Sequence, residues 1–135
     1  MAVVLKEDGW ESLSDVLRSE PCLVGAPTLF ELRRVLAVRK FASARAIVDE
    51  FLAGDLTVRA FGEGDYRLAE EAFERFGQGE GGGKEASVLN IFDCMTYATA
   101  RAAARPLLFK GDDFGATDLT LHSASQDSDG VPIGE

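Results

Sequence analysis

The sequence predicts an α/β fold in which a mostly parallel β-sheet has helices on both faces. Short apolar runs with strand character lie at 22–26, 56–61 and 106–110. Segments with apolar residues at helical spacing lie between these runs. Because consecutive parallel strands are joined by crossovers that usually contain a helix, this alternation predicts a mostly parallel sheet.

The first half of the chain contains three predicted helices and two predicted strands. These are a helix at 8–19, a strand at 22–26, helices at 28–39 and 44–54, and a strand at 56–61. Thr28 is predicted to cap the second helix, with Glu31 three residues later completing a capping box. Gly54 is predicted to end the third helix.

The second half continues the alternation up to about residue 122. It contains a predicted helix at 65–76, a glycine-rich loop at 77–87, a helix at 90–104, a buried strand at 106–110 and a weaker strand at 119–124. Asp65 and Asn90 are the predicted caps of the two helices, and Gly77 is predicted to end the first of them. A length of 135 residues predicts one domain over 1–122. The polar segment 123–135 is expected to be a disordered tail.

The composition excludes several classes of protein. The apolar stretches fall short of the roughly 18 residues that a membrane span needs, and the N-terminus MAVVLKEDGW lacks the pattern of a signal sequence. We therefore expect a cytoplasmic protein that does not interact with a membrane. Cys22 and Cys94 lie far apart and His122 is the single histidine, so neither a zinc site nor a histidine-dependent triad is expected.

The charge distribution contains one basic segment in an acidic chain. The net charge is −9, so the chain is not expected to bind nucleic acid without selectivity. Residues 33–45 nevertheless contain no acid and five basic residues: Arg33, Arg34, Arg39, Lys40 and Arg45. Spacing alone favours a solvated helix face, and the alternative is a ridge that contacts phosphates.

Four acidic residues lie where the carboxyl ends of predicted strands meet the next element. Glu31 follows the first strand by one helical turn, Asp93 lies in the first turn of its helix, and Asp112 and Asp113 directly follow the strand at 106–110. Each has an ordinary explanation as a cap, a partner of the helix dipole or a turn residue. Ligands of open α/β sheets bind beyond the carboxyl ends of the strands, so the acids together indicate a site for Mg²⁺ or Mn²⁺.

Two long motifs resemble a known family. VLNIFDCMTYA at 88–98, followed by PLLFKGDDFGATDL at 106–119, resembles the C-terminal half of PIN-domain ribonucleases, in particular the VapC toxins of toxin–antitoxin pairs. GAPTLFELRRVL at 25–36 resembles the second acidic motif of that family, and DYRLAEEAFERFGQG at 65–79 resembles a helix that ends in Tyr/Phe-Gly-Lys-Gly. The resemblance covers residues 1 to about 122.

The resemblance implies a PIN-like three-layer α/β/α sandwich, with sheet order 3-2-1-4-5 and an acidic pocket that binds Mg²⁺ or Mn²⁺. By position, it implies that Glu31, Asp93 and Asp113 are catalytic and hold the metal. Two further acids are candidates: Asp118 in an outer shell and Asp112 as an additional ligand. Gly111 is expected to let the backbone turn sharply, and Phe114 to anchor that turn in the core.

Three departures from the family pattern stand out. MAVVLKEDGWESL aligns with the segment directly after the family's first strand. That strand and its metal-binding aspartate are therefore expected to be missing. The two explanations are a start codon assigned too late and a decayed copy of the gene. Phe92 stands where the family has glycine, and GQGEGGGKE at 77–85 is acidic where the family loop is basic. The chain as printed is therefore expected to be a poor nuclease.

The implied function is a Mg²⁺- or Mn²⁺-dependent endoribonuclease toxin that cleaves tRNA or ribosomal RNA. A VapB-type antitoxin would neutralise it, a homodimer is expected, and the basic residues at 33–40 are the expected RNA contacts: Arg33, Arg34, Arg39 and Lys40. One alternative is an inactive PIN remnant that binds an antitoxin or dimerises. A nuclease that acts on DNA or flap substrates is another.

Overall fold

The computed structural model describes residues 7–39, 42–77 and 89–133. Lys40 and the predicted loop after Gly77 lie outside the described residues. The chain divides after Ala60 into two compact units. A single domain over 1–122 stays a prediction, and each unit is described by itself.

Five helices and two strands are formed by the described residues. They are α1 (Trp10–Ser19), β1 (Cys22–Gly25), α2 (Ala26–Val38), α3 (Ala42–Ala53), β2 (Leu56–Arg59), α4 (Glu63–Phe76) and α5 (Ile91–Ala103). Each matches a predicted element to within a few residues at its ends. None of these helices combines the length and the apolar character needed to cross a bilayer.

The two strands of the first unit pair in parallel. Their register runs from Cys22 opposite Leu56 to Gly25 opposite Arg59. The connection between them contains α2 and α3, as expected for parallel neighbours, which cannot be joined by a tight hairpin. The predicted α/β class with parallel strand pairing is confirmed.

The core of the first unit lies between α2 and α3. Leu36, Ala44 and Val48 are buried there, and three further leucines pack around them: Leu29, Leu32 and Leu52. Arg33 of α2 forms an ion pair with Asp49 of α3 at the edge of this core. The face of α3 that bears Ala44, Val48 and Leu52 is therefore the face that meets α2.

The start of α2 differs from the prediction. The helix begins at Ala26 with Gly25 as N-cap, so Thr28 lies inside the first turn and is not the cap. The predicted N-cap at Thr28 is therefore wrong. Pro27 fits the first turn of the helix because its φ is fixed and it has no amide hydrogen to leave unpaired. β1 ends at Gly25 and α2 begins at Ala26, so no loop separates them.

The core of the second unit forms where α4 packs on α5. Its buried members are Ala72, Leu89, Cys94, Tyr97 and Phe114, and Phe76, Leu107, Phe109 and Leu119 are among the side chains packed around them. Asp65 is the third residue of α4 and accepts a hydrogen bond from the backbone amide of Gly62 at 2.9 Å. It therefore stabilises the helix start from inside the first turn, but Gly62 is the N-cap, so the predicted cap at Asp65 is wrong.

The segment predicted as a buried strand at 106–110 forms single bridges in place of a continuous ladder. Leu107 pairs with Leu121, and Lys110 pairs with Gln126. A turn at 123–124 separates the two partners, and the buried hydroxyl of Ser125 fills the gap. This hydroxyl donates to the Leu107 carbonyl at 3.0 Å and accepts from the Phe109 amide at 3.3 Å. A side chain thus replaces the missing ladder bonds.

Part of the segment expected as a disordered tail packs against the second unit. Ser125 and Gln126 are 0% and 3% exposed. The Gln126 amide donates to the Phe109 carbonyl, and the Gln126 carbonyl accepts from the Gly111 amide, both at 3.0 Å. Phe109 and Gly111 lie just before Asp112 and Asp113 in the sequence. The segment after residue 122 therefore supports the backbone that bears these two aspartates.

Gly77, which ends α4, has no room for a side chain. An added Cβ would lie 2.2 Å from the Phe73 carbonyl oxygen. Gly77→Ala is therefore expected to lower the free energy of unfolding by about 1–3 kcal/mol, measured by urea denaturation. Gly64→Ala in the same helix has nothing within 4 Å of the new methyl and is expected to raise it by about 0.5–1 kcal/mol. Equal effects of the two changes would contradict this packing.

Candidate functional site

The start of α5 positions Asp93. The side chain of Asn90, the N-cap, accepts from the Asp93 amide at 2.8 Å, and Oδ2 of Asp93 accepts from the Asn90 amide at 3.1 Å. Asn90 thus begins the helix as predicted. The reciprocal bonds hold the Asp93 carboxylate in one place and use one of its two oxygens, and Oδ1 forms no hydrogen bond within the described residues.

Burial and the carboxylate of Asp113 both affect the pKa of Asp93. Partial burial raises the pKa of Asp93, the hydrogen bond from the Asn90 amide opposes that rise, and the negative charge of Asp113 adds to it. Asp113 is exposed and accepts no hydrogen bond from the part of the chain that the structure describes. Two carboxylates from distant positions in the sequence are therefore brought close enough to repel each other.

The turn that holds Asp113 is fixed on both sides. Gly111 has φ +132°, a region that side-chain-bearing residues rarely adopt, as the expected sharp turn requires. Phe114 is 7% exposed and packs edge-to-face on Phe109 with 5.2 Å between ring centroids. The predicted anchoring of the turn by Phe114 is present, and Asp113 projects from a well-supported loop.

Asp112 contacts the C-terminal segment. Its Oδ2 accepts from the Ser128 hydroxyl at 3.0 Å, and its Oδ1 accepts from the Ser128 amide at 3.3 Å. Both oxygens of Asp112 are thus engaged, in contrast to those of its neighbour Asp113. The structure therefore gives two adjacent aspartates different surroundings.

Asp118 lies in a group of polar side chains that we term the Asp118 cluster. Its four members are Arg75, Tyr97, Arg101 and Asp118. Oδ1 of Asp118 accepts from the Tyr97 hydroxyl at 2.5 Å, and Oδ2 accepts from Nη1 of Arg75 at 3.0 Å and from Nη1 of Arg101 at 3.1 Å. The hydrogen bond from Tyr97 lowers the pKa of Asp118, desolvation opposes this, and the hydrogen bond from Arg75 and the charges of both arginines lower it further.

Sequence reasoning did not identify the partners of Asp118. A signal was present, because Asp93, Tyr97 and Arg101 follow one another at intervals of four residues and so lie along one face of α5. Arg101 donates to the Tyr97 hydroxyl at 2.7 Å along that face. Arg75 is separated from Asp118 by 43 residues, so no local pattern could reveal it.

Glu31 and the basic segment belong to the first unit. Glu31 is half-buried in the second turn of α2. Arg34 and Arg39 are exposed and form no ion pair within the described residues, whereas Arg33 pairs with Asp49. Of the four predicted RNA contacts, Lys40 lies outside the described residues. Among the predicted RNA contacts that the structure describes, Arg34 and Arg39 are thus the ones whose charge no acid neutralises.

The donors at the second unit's acidic site suit a hard divalent cation. Within either unit, the described residues do not include a group of three His, Cys, Asp or Glu side chains that could hold a metal ion. Asp93 and Asp113 provide two carboxylates whose repulsion a cation would relieve. Carboxylate oxygens are ligands that Mg²⁺ and Mn²⁺ prefer. The pair fits such an ion and would need further ligands to complete its coordination.

The raised pKa of Asp93 has a consequence for stability in the absence of cations. A group whose pKa is raised by folding contributes stability below its unfolded pKa and loses it as the pH rises through the folded value. In EDTA, wild type is therefore expected to lose stability relative to Asp93→Asn as the pH rises from about 4 to 7. Urea unfolding of both proteins across this range tests the expectation, since the asparagine can still accept from the Asn90 amide. A difference that grows in the opposite direction would contradict it.

The parallel strands of the first unit, and the acidic first turn of α5 and the fixed turn at Gly111 in the second, define an α/β protein with an acidic site. The PIN domain family matches residues 1–119, and the chain belongs to this family. The predicted family and the PIN-like α/β fold are confirmed.

Several curated relatives are named as VapC ribonucleases. Ribonuclease VapC42 of Mycobacterium tuberculosis is 32% identical over 121 residues, which cover 88% of this chain and 90% of the relative. Ribonuclease VapC36 of the same organism is 38% identical over 98 residues, covering 72% and 68%. VapC ribonuclease Mb0625 of Mycobacterium bovis is 31% identical over 121 residues, covering 88% and 89%.

Proposed function

We propose that this PIN-domain protein is a Mg²⁺- or Mn²⁺-dependent endoribonuclease of the VapC toxin type. The observation on which the proposal depends is the convergence of Asp93 and Asp113, which costs free energy unless a cation compensates it. The names of the relatives support cleavage of RNA and membership of a toxin–antitoxin system.

The proposed metal ligands of the second unit are Asp93 and Asp113. Glu31 stays a candidate ligand from the resemblance to the family. A bound divalent ion supplies activated water and offsets charge on the phosphodiester in the transition state. Asp93 is held by its bonds with Asn90, so its remaining oxygen can bind without a large loss of side-chain entropy. Asp113 would accept a proton from the attacking water, and Glu31 stays a candidate for this role from the resemblance.

The proposed RNA contacts are in the basic segment of the first unit. Arg34 and Arg39 are exposed, and neither is engaged by an acid in the described part of the chain. Arg33 is less suited because Asp49 already neutralises its guanidinium. Lys40 stays a candidate from the sequence. Structured RNA, either tRNA or ribosomal RNA, is the proposed substrate.

The proposed partner is a VapB-type antitoxin, and we propose that the toxin works in the cytoplasm as a homodimer. The support for this partner is the VapC naming of relatives that share most of their length with the chain. An antitoxin that neutralises the enzyme is expected to block the acidic site, so its binding and metal binding should compete.

The test is cleavage of purified tRNA and ribosomal RNA by the recombinant chain in Mn²⁺. We expect cleavage that stops in EDTA, returns with excess Mn²⁺ and is lost in Asp93→Asn. Mn²⁺ should also raise the melting temperature of wild type but not of Asp93→Asn, because only a protein that binds the ion gains stability from it. Glu63→Gln is a matched control, since Glu63 is an exposed acid paired with Arg67.

Two outcomes would separate the candidate functions. Cleavage that survives EDTA or the Asp93 change would contradict a metal-dependent mechanism. The alternative of an inactive PIN module is motivated by Phe92, a bulky residue directly before Asp93. It is favoured if the chain, with and without the residues encoded directly upstream, binds an antitoxin but does not cleave RNA in Mn²⁺.

A further inference from the structure

Both carboxylate oxygens of Asp118 are already engaged by protein donors. Oδ1 accepts from the Tyr97 hydroxyl, and Oδ2 accepts from both Arg75 and Arg101. Tyr97 is fully buried, so its hydroxyl is fixed by the packing of its ring. A metal ion, or a water bound to one, would have to displace one of these donors from Asp118.

The charge around Asp118 also disfavours a cation. Two guanidinium groups lie within hydrogen-bonding distance of its carboxylate. Arg101 lies with its guanidinium carbon 5.7 Å from the centre of the Tyr97 ring, which holds its charge over α5. A divalent ion placed beside Asp118 would be repelled by both arginines. The carboxylate of Asp118 therefore neutralises the charges of Arg75 and Arg101. Asp113, in contrast, forms no ion pair within the described residues.

The Asp118 cluster joins the loop at 111–118, which bears Asp113 and Asp118, to α4 and α5. Arg75 is in the last turn of α4, and Tyr97 lies one turn after Asp93 on the same face of α5. On the other side of the loop, Phe114 is in one core cluster with Tyr97. The segment between Phe114 and Asp118 is a tight turn, in which the backbone amide of Thr117 donates to the Phe114 carbonyl at 3.1 Å.

The geometry points to Asp118 as a positioning residue that holds the Asp113 loop against the helix bearing Asp93, without contacting the ion. The inference rests on the proposed metal site. It gives Asp113 and Asp118 different tasks: Asp113 binds the metal ion, while Asp118 fixes the distance between Asp113 and Asp93. Because carboxylates bind metal tightly only when their separation suits the ion, a loosened loop should weaken binding.

The two possible roles of Asp118 predict opposite effects when its partners are removed. Tyr97→Phe frees Oδ1, and Arg101→Gln removes a positive charge. If Asp118 contacted the ion or its water, both changes would leave Mn²⁺ binding unchanged or strengthen it. If Asp118 is a positioning residue, both changes weaken Mn²⁺ binding, in the same direction as Asp118→Asn.

Mn²⁺ binding to the full chain is measured by calorimetric titration. We expect the dissociation constant to rise about tenfold in Asp118→Asn, Tyr97→Phe and Arg101→Gln, as for other groups that orient metal ligands. The double variant of Asp118→Asn with Arg101→Gln should show about the same tenfold rise, since both changes disrupt one contact. Arg67→Gln is the control that removes an exposed arginine of α4, and its constant should match that of wild type.

Amide hydrogen exchange in EDTA tests the positioning role without any metal. The Thr117 and Leu119 amides should exchange about tenfold faster in Tyr97→Phe and Arg101→Gln than in wild type or Arg67→Gln, because their turn is no longer held. Unchanged exchange, or tighter Mn²⁺ binding by either variant, would overturn the inference. If wild type does not bind Mn²⁺, the proposed function fails, and the exchange rates alone decide whether Asp118 positions the loop.

Discussion

Asp113→Asn is expected to reduce Mn²⁺-dependent RNA cleavage by at least about a hundredfold, whereas Asp112→Asn should retain cleavage within a few-fold of wild type. Asp113 is exposed, lies near Asp93 and accepts no hydrogen bond from the described residues, so its carboxylate is available for an ion. Asp112 has both oxygens engaged by Ser128. The two variants remove the same charge one residue apart, and thus form a matched pair.

Single-turnover cleavage of labelled RNA in Mn²⁺ measures this difference. Melting temperatures in EDTA show whether both variants fold, and a small loss is expected for Asp112→Asn because a contact with the C-terminal segment is removed. Equal losses of activity in the two variants would show that net charge, and not a specific carboxylate, matters for cleavage. A larger loss in Asp112→Asn would reassign the ligand to Asp112.

Phe114→Ala is expected to lower the free energy of unfolding by about 3–5 kcal/mol, the largest stability effect that we predict. The ring is 7% exposed, packs edge-to-face on Phe109 and belongs to the core with Tyr97 and Cys94. Its removal leaves a cavity in the small core of the second unit. Since a domain is usually stable by only about 5–15 kcal/mol, a measurable unfolded fraction is expected at 37 °C.

Urea denaturation monitored by circular dichroism measures the effect. Phe30→Ala makes the same chemical change at a side chain that is 60% exposed, and it should cost less than about 1 kcal/mol. Because Phe114 directly follows Asp113, its loss should also weaken Mn²⁺ binding at temperatures where the variant is still folded. Similar costs in the two phenylalanine variants would contradict the assignment of Phe114 to the core.

Helix positions and the class of the sheet were predictable because their signals are local. Periodic apolar residues predict α1 and α4 in nearly their observed positions, and Gly77 ends α4 as expected. Helix starts were less predictable. The predicted cap at Thr28 is wrong because β1 leads into α2 at Gly25 without a loop, an arrangement that depends on how strand and helix pack.

The strand predicted at 106–110 shows where an apolar run is insufficient. Its apolar side chains are partly buried as expected, but its backbone partners lie on two separate stretches divided by a turn. Ser125 supplies hydrogen bonds from a position in the expected tail. No pattern within 106–110 contains information about a hydroxyl that lies 16–18 residues later.

By itself, the sequence determined the family and the α/β class and indicated the candidate acids, because these depend on residue types and spacings within single motifs. Only the tertiary structure decided which acids are available. Ser128 binds Asp112, and arginines from two helices together with a buried tyrosine bind Asp118, while Asp93 and Asp113 are left to repel each other. A carboxylate's function depends on the charges and donors around it, and folding brings those from distant parts of the chain.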